Sequence, residues 1–280
     1  MTPLAAIRRF YGDLITANAG LPPGGALSKA FAEVSRERFL GAGPWKVFTP
    51  SGYLETPSDD PAFLYQDITV GMLPAARINN GQPTLHALCL SALGLKEGQR
   101  VLHVGTGTGY YTAILAKLVG PTGQVLGVEI EEKLATQARD NLREFPGVHV
   151  EHRSGTVGPF PRCDVVYVSA GATAPMPAWL DALDPGGRLL FPLTAAQGAG
   201  GMLLIGRRGD TTFDARFITR AMFIPCVGAR QDDEAMRLSQ AFANDSYRAV
   251  RSLHTGTPPT ADAWFAGRDW WLSTTPLPQV

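Results

Sequence analysis

The stretch VLHVGTGTGYY, Val101 to Tyr111, decides the fold of this 280-residue chain. It begins as an apolar run and then places a glycine at every second position, at Gly105, Gly107 and Gly109. Glycines at the end of a strand adopt positive φ angles and let a ligand approach the backbone without a Cβ in the way. The stretch therefore predicts a strand that turns tightly over a ligand and enters a helix.

The spacing of these glycines separates the classes of ligand that such a turn can hold. A dinucleotide turn has the pattern G-x-G-x-x-G, and its third glycine would fall on Tyr110. No lysine follows the turn, so a phosphate loop of the G-x-x-x-x-G-K-[ST] type is absent. The spacing G-x-G-x-G suits the amino-acid end of S-adenosylmethionine. The next predicted strand, QVLGVE, ends in Glu129, which can accept the ribose hydroxyls that both NAD and S-adenosylmethionine carry.

Strand and helix patterns alternate on both sides of the turn. The predicted strands are RVLHV, QVLGVE, VHVEHR, DVVYVS, RLLFPLT, MLLIGRR and ARFITRAMFIP. Helical segments over 110–119, 131–143 and 176–183 lie between the first five strands, as in a parallel sheet wound on both faces. The last two strands follow each other without a helix and predict an antiparallel edge hairpin. The predicted fold class is α/β, a doubly wound and mostly parallel sheet.

Composition divides the chain into three predicted segments. Residues 1–80 form an N-terminal helical and irregular cap, with helices over 4–17 and 28–39. Residues 81–230 form the sheet core, and residues 231–280 form an extension that packs on it, with a helix over 232–250. The aromatic side chains of the extension either line a substrate pocket or pack the segment onto the core: Trp264, Phe265, Trp270 and Trp271.

The charge balance and the cysteines limit the possible partners and the compartment. Lysine plus arginine (25) equal aspartate plus glutamate (25), which argues against a nucleic-acid or anionic-membrane partner. The odd number of cysteines, three, argues for the reducing cytoplasm. No run of about 18 apolar residues predicts a membrane span. His149 and His152 lie three apart on a predicted strand and point to opposite faces, so we expect no metal site.

Taken together, the residues resemble the protein-L-isoaspartate O-methyltransferase family over about residues 25–228. The segment from Val101 to Arg143 is similar to the family's cofactor segment. VSRERFL and the Tyr65-Gln66-Asp67 triplet are similar to its lead-in, and INNGQPTLHALCLSAL is similar to its substrate-loop and helix segment. The resemblance implies a Rossmann-like methyltransferase that binds S-adenosylmethionine and esterifies a carboxylate, typically on isoaspartyl residues of damaged proteins.

The chain departs from that family pattern at three positions. Gly81 stands where the family has the serine of a T-I-S-x-P motif, and His103 stands where an acid usually precedes the glycine turn. Arg153-Ser154-Gly155 replaces a G-D-G sequence whose aspartate lies near the adenine. These changes affect the assignment of the acceptor more than that of the cofactor, because the glycine turn and Glu129 remain.

The candidate cofactor contacts are the glycine turn, the ribose acid and the strand ends around them: His103, Gly105, Thr106, Gly107, Gly109, Tyr110, Glu129, Ile130, Ser154 and Gly155. Ser154 either binds the adenine edge or satisfies a turn. We expect the exposed end of the first strand to direct His103 at the ammonium group of the donor. Cofactor affinity should then weaken as the pH falls through the usual histidine range.

The candidate acceptor contacts are Gly81, Gln82 and Pro83. A carboxylate acceptor is already deprotonated and needs alignment more than a base, whereas a hydroxyl acceptor needs a general base. The candidates for that catalytic role are His86 first and Asp67 second. His86 is equally consistent with a buried, hydrogen-bonded histidine, and Asp67 with the brace of a turn.

Three hypotheses on function follow from the sequence. The first is methyl transfer to a carboxylate of a protein or peptide. The second is a divergent relative that methylates another acceptor, such as a modified peptide or a small metabolite. The third is a module that binds S-adenosylmethionine without catalysis. An NAD oxidoreductase is the least favoured reading, and the oligomeric state is left open.

Overall fold

The computed structural model describes residues 3–278, and the chain divides into two compact units. The first unit comprises Met1–Gln99 and Gly105–Arg153, and the second comprises Arg100–Val104 and Ser154–Val280. Both units therefore contain parts of the predicted core 81–230. The predicted boundaries at residues 80 and 230 stay a prediction.

The helices of the first unit are α1 (Pro3–Asn18), α2 (Ala26–Glu33), α3 (Arg36–Leu40), α4 (Pro83–Leu93), α5 (Tyr110–Val119) and α6 (Glu132–Leu142). The second unit contributes α7 (Pro177–Ala182) and α8 (Asp232–Ala241). Short 3-10 helices span Pro61–Leu64, Pro74–Ala76 and Asp245–Ala249. The helix predicted over 28–39 divides into α2 and α3, because Val34 and Ser35 adopt extended backbone angles between them.

The strands alternate with these helices along the chain and are numbered in chain order. Strands of the first unit are β1 (Lys46–Thr49), β2 (Gly52–Glu55), β3 (Gly71–Leu73), β4 (Ile78–Asn79), and, after β5 (Arg100–Val104) of the second unit, β6 (Gln124–Glu129) and β7 (Val148–His152). The second unit continues with β8 (Cys163–Val168), β9 (Leu183–Thr194), β10 (Ala199–Arg207), β11 (Thr212–Met222), β12 (Ser252–Thr255), β13 (Ala263–Ala266) and β14 (Trp270–Ser273).

Strand pairing in the first unit places the ribose acid at a strand end. β6 runs parallel to β7, and Glu129 is paired with His152 at the last position of the register. β1 and β2 form an antiparallel hairpin, as do the shorter β3 and β4. Because the carboxyl ends of parallel strands form the ligand-binding edge of such folds, Glu129 stands where a ligand is expected.

In the second unit the strand order is β13-β14-β12-β11-β10-β9-β8-β5. β5, β8 and β9 are parallel, and the strands from β10 onwards pair antiparallel. The side chains at the centre of β8 and β9, such as Val166 and Leu190, are fully buried, as both faces of a covered sheet require. The predicted antiparallel hairpin is present as β10 and β11, but its predicted position at the sheet edge was wrong, because β11 also pairs with β12 and the extension continues the sheet through β14 and β13.

The extension breaks the helix predicted over 232–250. α8 ends at Ala241, and Asn244 then caps a 3-10 turn by accepting the backbone N–H of Ser246 at 2.9 Å. Phe242 and Trp264 lie with their ring centroids 5.2 Å apart. Trp264 lies 5.5 Å from Phe217 of β11. These ring contacts describe the packing alternative for the aromatic cluster of the extension.

Candidate active site

The glycine turn joins β5 to α5. Gly105, Gly107 and Gly109 have φ angles of +79°, +58° and +101°, in the region that favours glycine over residues with a Cβ. The Gly105 N–H donates to the carbonyl oxygen of Val128 at 2.9 Å, so the turn is fixed to β6. α5 begins at Tyr110, immediately after the third glycine. The predicted change from strand through glycine turn to helix is therefore present.

Glu129 locks this turn to the end of β6. Its carboxylate accepts the N–H of Gly107 at 2.7 Å through Oε2 and the N–H of Glu131 at 3.0 Å through Oε1. The residue is 7% exposed, yet each carboxylate oxygen has a further lone pair that can accept a hydroxyl. The side chain of the next residue, Ile130, is exposed and offers an apolar surface beside the acid.

At two positions of the turn an added side chain would overlap a neighbouring side chain, which would have to shift. A Cβ on Gly107 would lie 2.8 Å from Cε of Met72, and a Cβ on Gly109 would lie 2.7 Å from Cδ1 of Leu142. Thr108 also donates its hydroxyl to the Met72 sulfur at 3.4 Å. A turn of three glycines with positive φ angles, with a carboxylate at its base, fits the amino-acid and ribose parts of S-adenosylmethionine.

Asp67 braces the start of α4. Its Oδ1 accepts the Thr84 N–H at 2.8 Å, and its Oδ2 accepts the amide of Gln82 at 2.9 Å. Pro83 is the first helical residue and has no N–H to satisfy, so Asp67 serves the first free donor of the helix. Both carboxylate oxygens accept hydrogen bonds from this segment. This favours a structural role for Asp67, as the brace of a turn, over a role as general base.

The segment that carries Asp67 is held by Arg36, a residue that sequence reasoning missed. Arg36 is fully buried and donates through Nη1 to the carbonyl oxygens of Leu64 (2.5 Å) and Gln66 (3.0 Å). Its Nη2 donates to the carbonyl oxygen of Ile68 at 2.6 Å. The sequence VSRERFL contains no periodic signal that separates a buried arginine from its exposed neighbours.

The side chain of His86 fills the space beside Gly81. Gly81 has φ +75°, and a Cβ there would lie 2.3 Å from Nε2 of His86. His86 is 2% exposed and stacks on Tyr111 of α5, with ring centroids 3.5 Å apart and an interplanar angle of 6°. The Tyr111 hydroxyl donates to the Gly81 carbonyl oxygen at 3.1 Å. The imidazole thus occupies the space into which a side chain at position 81 would project.

His103, in the second unit, differs from its predicted role. It is 1% exposed, so the expectation of an exposed strand end was wrong. Its Nε2 lies 3.0 Å from the hydroxyl of Ser169, and its ring stacks on Tyr167 at 5.4 Å. Burial lowers the pKa of His103 to about 3. With that pKa the imidazole is neutral from pH 5.5 to 8, so the structure gives no reason to expect cofactor affinity to change across the usual histidine range.

Ser154 and Gly155, also in the second unit, form part of a turn. The Ser154 hydroxyl lies 2.9 Å from that of Thr156 and accepts the Thr156 N–H at 3.3 Å, which matches the turn alternative for this serine. The Gly155 carbonyl oxygen accepts the indole N–H of Trp179 at 2.6 Å. Adenine binding at Ser154 and Gly155 stays a prediction.

The family model of protein-L-isoaspartate(D-aspartate) O-methyltransferase (PCMT) matches residues 24–231, well over half of the chain. The chain belongs to this family. The recognition made from the sequence is confirmed, and with it the use of S-adenosylmethionine as methyl donor.

Curated relatives in the family differ in how much of the chain they match. The protein-L-isoaspartate O-methyltransferase of Brucella anthropi is 31% identical over 207 residues, which are 71% of this chain and 84% of the relative. Protein-L-isoaspartate O-methyltransferase 2 of Marinobacter nauticus is 38% identical over 154 residues, which are 52% of this chain and 68% of the relative.

Two solved structures confirm the α/β methyltransferase fold. A protein-L-isoaspartate O-methyltransferase structure aligns with a TM-score of 0.66 at 26% identity, covering 84% of this chain and 69% of that one. A Plasmodium falciparum structure in complex with S-adenosyl-L-homocysteine aligns with a TM-score of 0.62 at 17% identity, covering 78% and 97%. The chain is thus an S-adenosylmethionine-dependent methyltransferase of the PCMT family.

Membrane spans and metal-ligand groups were both considered for residues 3–278. Among them, no helix is both long and apolar enough to span a membrane. Nor do the described residues include a group of three or more His, Cys, Asp or Glu side chains arranged to hold a metal ion. The exposed His152 donates from Nε2 to the Ile130 carbonyl oxygen at 3.0 Å, because a carbonyl oxygen only accepts.

Proposed function

We propose that this PCMT-family protein methylates the free α-carboxylate of an isoaspartyl residue, whose peptide bond runs through the side chain, in a protein or peptide. The observation that carries the proposal is the Glu129 carboxylate, which accepts the Gly107 N–H at 2.7 Å and so fixes the glycine turn against the end of β6. Such a turn receives a ligand through backbone contacts, and the acid beside it accepts hydroxyls.

The chain's own groups have defined tasks toward the cofactor. When bound, S-adenosylmethionine supplies a methyl group activated by its sulfonium. The turn from Gly105 to Gly109 receives the amino-acid end, the free lone pairs of Glu129 accept the ribose hydroxyls, and the exposed Ile130 side chain packs against the adenine. Thr106 and Tyr110 stay in this proposal as predicted contacts. Cofactor contacts of His103, Ser154 and Gly155 rest on the sequence alone, and the burial and hydrogen bond of His103 count against its predicted exposed role.

Methyl transfer to a carboxylate requires little acid–base chemistry from the protein. A free α-carboxyl group has a pKa of about 3.5 and is ionised at neutral pH, so no base has to remove a proton. The protein must instead hold the carboxylate oxygen about 3 Å from the methyl carbon, in line with the bond that breaks, and exclude water. Gly81, Gln82 and Pro83 form the predicted acceptor segment, and Asp67 fixes it by capping α4.

A second candidate acceptor is favoured by the pair formed by Gly81 and His86. An imidazole that occupies the space of a residue-81 side chain can accept a proton, which a hydroxyl acceptor requires and a carboxylate does not. The alternative acceptor is a modified peptide or small metabolite with a hydroxyl group. His86 would act as the general base that removes the hydroxyl proton. A binding module without turnover has no supporting contact of its own.

The experiment that tests the proposal is incubation with labelled S-adenosylmethionine and a pair of peptides that differ only in an isoaspartyl or aspartyl linkage. We expect a base-labile methyl ester on the isoaspartyl peptide and little on its aspartyl control. Calorimetry with the cofactor accompanies the assay. Cofactor binding without ester on the isoaspartyl peptide would overturn the proposed acceptor, and no cofactor binding at all would overturn the proposed site.

The cysteines and the charge support the proposed surroundings of the protein. Cys89, Cys163 and Cys226 are buried and none is in a disulfide, which agrees with the reducing cytoplasm as the location. Burial raises the pKa of the Cys163 thiol to about 12, so this group is no nucleophile at neutral pH. Balanced charge supports a protein, peptide or small-molecule acceptor without a nucleic-acid or membrane partner.

A further inference from the structure

Tyr111 touches both sides of the proposed reaction within the first unit. It is the second residue of α5 and follows the last glycine of the turn by two positions. Its hydroxyl donates to the Gly81 carbonyl oxygen at 3.1 Å, and its ring stacks on that of His86 at 3.5 Å. One side chain therefore connects the helix that begins at the cofactor turn with the segment predicted to bind the acceptor.

The geometry of Tyr111 suits a rigid connection. The side chain is 5% exposed, and the ring of Tyr110 packs against it edge to face at 5.0 Å. Burial raises the pKa of Tyr111 well above its usual value, so the phenol keeps its proton and remains a donor to Gly81 at every physiological pH. The near-parallel stack with His86 restricts sliding and rotation of the imidazole, while the hydrogen bond fixes the distance to Gly81.

We infer that Tyr111 is a positioning residue for methyl transfer, which sets the distance and direction between the cofactor turn and the acceptor segment. This inference rests on the proposed function, because it assumes that Gly81 and its neighbours bind the acceptor. In-line displacement is sensitive to alignment, and a misplacement of about 1 Å lowers the rate by about a hundredfold. Loss of a single directional contact should therefore reduce turnover with little effect on cofactor binding.

The test compares Tyr111→Phe with Tyr111→Leu and with the matched control Tyr53→Phe. Tyr111→Phe removes only the hydroxyl that reaches Gly81, whereas Tyr111→Leu also removes the stack on His86. Tyr53 donates its hydroxyl to Oδ1 of Asn79 at 2.7 Å, so the control removes one phenol hydrogen bond from β2 to β4, two residues before Gly81. The measurements are kcat and KM for the isoaspartyl peptide, the Kd for S-adenosylmethionine and the Tm.

We expect Tyr111→Phe to lower kcat by about tenfold and Tyr111→Leu by about a hundredfold. The cofactor Kd of Tyr111→Phe should stay within about twofold of wild type, and Tyr53→Phe should leave kcat unchanged. A kcat of Tyr111→Phe within twofold of wild type overturns the inference. An equal loss in the Tyr53→Phe control also overturns it, because any bond to the segment would then suffice.

Amide hydrogen exchange of residues 78–86 keeps the inference testable if the wild type makes no ester. Wild-type inactivity toward the isoaspartyl peptide would count against the proposed acceptor, and exchange needs no acceptor. We expect faster exchange of this segment in Tyr111→Phe than in wild type, with the protection of α5 retained. Unchanged exchange in Tyr111→Phe and in Tyr111→Leu would show that Tyr111 does not hold the segment.

Discussion

Substitution of Gly81 by alanine should destabilise the protein by more than the strain of a positive φ angle alone. At φ +75° a residue with a Cβ is strained by about 1–2 kcal/mol. The added Cβ would also lie 2.3 Å from Nε2 and 2.9 Å from Cδ2 of His86, against ordinary contacts of about 3.5–4.0 Å. The imidazole must therefore move by about 1 Å or more, which weakens its stack on Tyr111.

Overpacking of this kind costs about 1–3 kcal/mol, so the total for Gly81→Ala is about 2–5 kcal/mol. The chain contains a control that isolates the strain. Gly20 has φ +74°, and a Cβ there would have no atom within 4 Å. Gly20→Ala should therefore cost only about 1–2 kcal/mol. The difference between the two variants measures the overlap with His86.

The assay is urea unfolding of wild type, the two alanine variants, His86→Ala and the double variant Gly81→Ala/His86→Ala. Removal of the imidazole relieves the overlap, so the cost of Gly81→Ala should fall to that of Gly20→Ala in the His86→Ala background. The coupling free energy is then about 1–3 kcal/mol. Equal costs for Gly81→Ala and Gly20→Ala in wild type, with additive behaviour of the double variant, would refute the reasoning that His86 occupies the space at position 81.

Four further predictions concern the cofactor, the pH and the acceptor segment. Glu129→Gln should weaken S-adenosylmethionine binding by about ten- to a hundredfold in calorimetry, because hydrogen bonds to a charged group contribute about 1.5–3 kcal/mol; an unchanged Kd would show that the carboxylate only braces Gly107. Cofactor affinity should be constant from pH 5.5 to 8, because burial lowers the pKa of His103 to about 3. Because the pKa of His103 is lower in the folded chain than in the unfolded chain, the unfolded chain binds a proton more readily, and the free energy of unfolding should fall as the pH drops from about 6.5 towards 3. His103→Gln should reduce this loss of stability in Tm measurements. An identical pH dependence of Tm in His103→Gln and wild type would contradict the prediction. Asp67→Asn keeps an oxygen acceptor for the Thr84 N–H, so the shape of the kcat/KM pH profile should not change and activity should fall by less than the hundredfold expected on loss of a general base.

The elements with strong local signals were predictable from the sequence. Strands β5 and β6 and helix α5 have the predicted bounds, because apolar runs, turn glycines and helical periodicity agree there. The strands β12, β13 and β14 were not predicted. They are four residues each, and their pairing with strands distant in sequence, such as β12 with β11, decides their structure instead of any local alternation.

The candidate site was predictable in its backbone parts and less so in its side chains. The glycine turn and Glu129 follow from spacing and strand position, which the chain order alone specifies. The burial of His103 did not follow, because the sequence cannot show that Ser169 and Tyr167 cover the ring. Arg36 was missed for a similar reason, since its partners are backbone carbonyl oxygens that leave no trace in residue type.

The departure at position 81 shows why a site is judged by the space it encloses and not by one residue. From the sequence, Gly81 indicates the loss of a polar side chain beside the acceptor. In the structure, the imidazole of His86 enters that space from the first turn of α4, and Tyr111 holds it there from α5. A polar group is thus present where the sequence shows none, supplied by a residue five positions downstream. A change of acceptor in this chain would therefore depend on the pair of Gly81 and His86, and substitution of either residue alone would report mainly on the strain or the cavity that it creates.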